Sequence, residues 1–77
     1  SKFGRIEKDE IDLDKKTAYI ADYIRAHRKC SFRALLEKQT SRAEIIVTFL
    51  VVLEMMKTGE IRIRQEDTFS EIYISAA

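Results

Sequence analysis

Seventy-seven residues are enough for one domain and no more. A domain of that size buries only about 60 to 65 per cent of its unfolded surface, so its stability margin is thin. Apolar residues make up 45% of the chain and charged residues 35%, the balance of a folded unit rather than a disordered tail, and a net charge of +1 gives no bulk pull toward nucleic acid or an anionic membrane.

A lone cysteine, Cys30, cannot form an internal disulfide, which removes the usual brace of a small secreted domain and points to a reducing compartment, the cytoplasm. There is no charged and then apolar leader at the start. The longest apolar run is interrupted by Thr48 and Glu54, well short of the roughly 20 residues a membrane-spanning helix needs. A start at Ser1 rather than Met fits either an excised domain of a longer chain or a processed end.

Taken in chain order, Phe3 to Ile6 is long enough for a short edge strand, and Glu7 to Glu10 form a charged approach. Leu13, Thr17, Ile20, Ile24 and His27 recur at helical spacing and predict a first helix over roughly 13 to 29, with Asp12 as its cap and Arg25, Arg28 and Lys29 near its carbonyl end. Ser31 is a second cap, opening a short helix through Phe32, Leu35 and Leu36 that ends near Lys38. Ser41-Arg42-Ala43-Glu44 is a capping box, in which the serine hydroxyl accepts from the Glu44 amide and the Glu44 carboxylate reaches back to Ser41. It starts a third helix that runs to Lys57 or Thr58 and stops at Gly59.

After Gly59 the period changes to 2. Ile61 and Ile63 alternate with Arg62 and Arg64, and Ile72 and Ile74 flank Tyr73, with a polar turn at Glu66 to Ser70 between them: a β-hairpin. Three helices and a hairpin in one domain over residues 1–77, with a short N-terminal strand in prospect, predict an α+β winged helix: a helix-turn-helix core with a C-terminal β wing.

The third helix is where this architecture would carry base-reading side chains, and it is nearly bare of them. Only Arg42 and Lys57, at its two ends, could serve a DNA-reading helix; Glu44 and Glu54 would face phosphates repulsively. The cations cluster upstream, at Arg25, Arg28, Lys29, Arg33, Lys38 and Arg42, either as a solvated rim or as a weak DNA contact. At about 100° per residue, Ile45, Ile46, Phe49, Val52, Leu53 and Met56 share one arc, assigned to the core. Val47, Leu50, Val51 and Met55 form a second, broken arc beside Thr48 and Glu54, which the hairpin and first helix could cover or which a partner would.

Other chemistry has little support. His27 and Cys30 are too few for a zinc site, Cys30 reads as a filler of a small gap, and no phosphate loop or nucleophile elbow is present. No enzyme, metal or cofactor is expected. Tyr19 and Tyr23 read as packing residues with their hydroxyls at the surface.

The stretch from Ser41 to Ile74 resembles the C-terminal domain of the segregation and condensation protein A family, the bacterial kleisins. The likeness is carried by Val47-Thr48-Phe49-Leu50 with Leu53-Glu54, then Gln65-Glu66 and Phe69-Ser70-Glu71-Ile72, in order and spacing; Ser70-Glu71 stands where family members commonly have Gly-Asp. The resemblance implies the head-binding end of a kleisin: a winged helix on the ATPase head of an SMC protein, in a complex that condenses and segregates chromosomes in the cytoplasm at the nucleoid. Other subunits of that complex would meet absent parts of the parent chain. Periodicity nominates the contacts as Val47, Leu50, Val51 and Glu54 on the third helix and Arg62, Arg64 and Tyr73 on the hairpin. The alternatives are a DNA-binding winged-helix regulator and self-association through the same helix.

Overall fold

The computed structural model describes residues 11–77; the strand expected at Phe3 to Ile6 lies outside them. The described chain is α+β, with three helices and one three-stranded antiparallel sheet. Helix α1 spans Leu13–Ala26, strand β1 Lys29–Ser31, α2 Phe32–Glu37, α3 Arg42–Lys57, β2 Ile61–Arg64 and β3 Tyr73–Ala76.

Each helix begins where a side chain can take up an orphaned amide. Asp12 accepts from Lys15 N at 3.1 Å, Ser31 from Ala34 N at 3.1 Å and Ser41 from Glu44 N at 3.1 Å. Only half of the expected capping box forms. The Glu44 carboxylate accepts from Lys16 Nζ at 3.2 Å instead of returning to Ser41, and the same ammonium donates to Gln39 Oε1. Lys16 continues the Ile20–Ile24 ridge at four-residue spacing, which carries it inside, and its pairing ties α1 to the turn before α3.

The first helix stops at Ala26, shorter than predicted, because Arg28 adopts the left-handed conformation at φ 45 and turns the chain back. Lys29–Ser31 then lies along β3 as a strand that periodicity alone did not signal. Its pairs are Lys29 with Ser75, Cys30 with Ile74 and Ser31 with Tyr73. On the other side of β3, Ile61 pairs with Ala76, Arg62 with Ser75, Ile63 with Ile74 and Arg64 with Tyr73. The hairpin therefore exists as expected, but β3 is its central strand, with β1 and β2 at the edges.

Alternation along these strands divides the sheet into two faces. Cys30, Ile61, Ile63 and Ile74 point to the helices, where Ile20, Ile24, Leu35, Val51, Val52 and Met55 complete the core. Gly59, at φ 81, ends α3 in a conformation that suits glycine, and Glu60 N donates back to Met55 O at 2.9 Å to lead the chain into β2.

Candidate partner-docking surface

Helix α3 is apolar around almost its whole circumference, so its sequence leaves open which side faces inward. The buried side is Thr48, Val51, Val52 and Met55, with Glu44 and Val47 half-buried at its margin. The arc assigned to the core from sequence was therefore displaced by about 100°, one residue's turn, since it centred on Phe49 where the buried arc centres on Thr48. Of its six members only Val52 is buried; Ile45, Ile46, Phe49, Leu53 and Met56 are exposed. Val51 and Met55, taken for leftovers, are core.

The contrast is one of size as well as side. Small β-branched Thr48, Val51 and Val52 face α1 and the sheet, where backbones come close, and the bulkier Ile46, Phe49, Leu50 and Leu53 face outward. Thr48 is fully buried and its hydroxyl has no hydrogen-bond partner. Its shape, close to that of valine, suits the tight inner seam.

The exposed apolar residues form one continuous band along α3. Ile45, Met56 and Phe49 flank the core, Leu53 and Ile46 follow, and Leu50, 57% exposed, closes it. Phe49 extends the band onto α2, its ring centroid 5.7 Å from that of Phe32. Past Leu50 the surface dips into a groove between α3 and the first turns of α1, lined by Leu13, Thr17, Val47 and Leu50 with Glu54 on its rim. Leu13, expected in the helical stripe of α1, is exposed at the mouth of this groove. Ile46, Phe49, Leu50 and Leu53 are each about half covered already, so burying the rest of the four would contribute several kcal/mol at about 25 cal/mol per Å².

The nominated contacts thus separate. Leu50 and Glu54 are exposed, Val47 is half-buried in the groove wall, and Val51, at 8% exposure, belongs to the core and is withdrawn as a surface contact. Arg62, Arg64 and Tyr73 lie elsewhere, on the sheet face turned away from the helices. Lys29 joins them there, its ammonium 4.4 Å from the Tyr73 ring centroid. Of the upstream cations, Arg25 pairs with Asp22 at 3.0 Å, Lys38 sits over the Tyr23 ring and Lys29 belongs to the sheet.

His27 closes α1, with Nδ1 2.8 Å from the Tyr23 carbonyl and its ring stacked 4.0 Å from that of Tyr23. That contact makes Nδ1 the protonated nitrogen, donating to the carbonyl. Burial pushes the Cys30 thiol up from its ordinary pKa, against a smaller opposing effect from a backbone hydrogen bond. Its Sγ faces the Ile74 carbonyl at 3.7 Å. Among the described residues no group of three His, Cys, Asp or Glu side chains could hold a metal, and no helix is long and apolar enough to cross a membrane.

Fold and surface together define a small α+β domain whose longest helix keeps an apolar face outside its own core. Residues 5–77 match the family described as segregation and condensation protein ScpA. The chain belongs to that family. It is 36% identical over 73 residues to segregation and condensation protein A of Bacillus licheniformis, covering 95% of this chain and 29% of that protein. The Bacillus pumilus protein of the same name is 36% identical over 71 residues, covering 92% of this chain and 28% of that protein. The Clostridium acetobutylicum protein is 30% identical over 70 residues, covering 91% and 28%. The chain spans less than a third of the length of these relatives.

Proposed function

We propose that this chain is the C-terminal winged-helix domain of a bacterial kleisin, a non-enzymatic adaptor that docks the outer face of α3 on the ATPase head of an SMC protein in chromosome condensation and segregation. The observation that carries the reading is the band Ile46, Phe49, Leu50 and Leu53, exposed on the helix that would otherwise read DNA. A contiguous apolar band rimmed by Arg42, Glu54 and Lys57 suits a protein partner and offers few donors to base edges. The order of elements, three helices then a β2–β3 hairpin with β1 completing the sheet, supports the winged-helix reading, and membership of the family supports the role. In this reading the protein acts in the cytoplasm at the nucleoid, and other subunits meet parts of the parent chain beyond this domain.

Calorimetric titration with a purified SMC head tests it. The parent chain should saturate the head, and Leu50→Glu should weaken the complex at least tenfold while keeping the parent's circular dichroism. An absence of heat and of complex at saturating concentrations would overturn the reading. Sedimentation across a range of concentrations separates it from self-association, which would bury the same band between two copies.

A further inference from the structure

We infer that the outer face of the sheet is a contact surface for the phosphate backbone of duplex DNA, independent of the apolar band on α3. Two cross-strand rows build this face: Lys29, Ser75 and Arg62 in one, Ser31, Tyr73 and Arg64 in the next. The ladder that pairs the strands therefore fixes three cations in one array. Arg62 and Arg64 stand two residues apart on one strand, roughly 7 Å, and Lys29 stands two strands from Arg62, roughly 10 Å. Among the described residues none of the three is in a salt bridge, and neither row contains a carboxylate. Glu71, beside the face, accepts at its Oε1 from the Ser31 hydroxyl, and exposed Glu60 and Glu66 stand just before and just after β2.

Each of these side chains can donate a hydrogen bond, so the face suits a partner made of acceptors. A duplex strand carries one phosphate per about 3.4 Å of helix axis, so cations on fixed backbone positions find anions opposite them in many registers. An acidic polypeptide would need its carboxylates set in one matching pattern. The Tyr73 ring is half-buried with the Lys29 ammonium 4.4 Å from its centroid, an arrangement that favours phosphate contact over the stacking of an unpaired base. The occupant is therefore the backbone of a duplex, bound without regard to sequence. Inner-face residues of the same strands pack into the core beneath α3, so the cationic face and the apolar band belong to opposite layers of the domain. A flat partner seated on the band leaves the sheet face open.

Fluorescence anisotropy of a labelled DNA duplex of arbitrary sequence, titrated with the 77-residue chain at several salt concentrations, tests the inference. Three phosphate contacts predict a slope of log K against log salt of about −2.7, and the double variant Arg62→Gln/Arg64→Gln should bind about tenfold more weakly at low salt with a slope near −0.9. Lys29→Gln alone should lower the slope by about 1. Leu50→Glu should bind DNA as the parent does, which distinguishes failure here from failure of head docking. Three outcomes would overturn the inference: no saturable binding at low salt, a folded double variant that binds as tightly as the parent, or displacement of the duplex by polyglutamate at equal charge concentration, which would assign the face to an acidic protein.

Discussion

The inner and outer sides of α3 are made of similar material and end in opposite environments. The inner side holds Thr48, Val51, Val52 and Met55; the outer holds Ile46, Phe49, Leu50 and Leu53, larger on the whole and without a hydroxyl among them. If hydrophobicity alone chose the core, the outer side would be in it. What chooses is the distance at which α1 and the sheet can approach, which favours short β-branched side chains, and the surplus apolar area stays exposed. In this domain the core takes one side of the helix and leaves an apolar side exposed.

Substitutions can break that comparison, and the largest effects belong to the inner side. Val52→Asp places a carboxylate in the core and should unfold the chain, seen as loss of the helical circular-dichroism signal. Met55→Ala should cost about 2 to 4 kcal/mol in urea unfolding, whereas Leu53→Ala, its exposed counterpart, should cost less than about 1 kcal/mol. Equal costs for the two would mean the sides are misassigned.

Smaller changes sharpen the account. Gly59→Ala should cost about 1 kcal/mol for the left-handed conformation alone, since a Cβ there would meet nothing within 4 Å. Thr48→Val keeps the shape and removes an unpartnered buried hydroxyl, so the thermal midpoint should hold or rise, by up to about 1 kcal/mol of stability. The smallest effect concerns Cys30. Its raised pKa means that the folded state favours the protonated thiol, so this contribution is present below the unfolded thiol's pKa and fades as pH climbs through the folded one. Cys30→Ser should flatten that alkaline decline in a pH series of denaturation midpoints.

The sequence makes the helices and the hairpin legible because caps and periods are local. Ser31, Ser41 and Gly59 each act within a few residues of the position they punctuate. Strand β1 was not legible, since three residues carry no usable period and their pairing to Tyr73–Ser75 spans more than 40 positions. The turn at Arg28 that makes this pairing available has no glycine to announce it. The orientation of α3 was hidden for a different reason: a helix apolar on all sides has no preferred face until its neighbours are in position. Neither Thr48 nor Lys16, polar and buried, was assigned to the core from the sequence, although Lys16 stands four residues before Ile20 on the buried ridge. That α3 carries more apolar surface than one core can use was readable in the sequence; which residues carry it was not, and Val51 and Leu50 divided accordingly.

Methyl cross-saturation NMR, with the labelled domain and an unlabelled SMC head, tests the central claim directly. Saturating the head should attenuate the methyls of Ile46, Leu50 and Leu53 and spare those of Val52, Ile20 and Ile74. Transfer that misses the α3 band and appears at other methyls, or no transfer at a concentration where the complex is formed, would contradict the account.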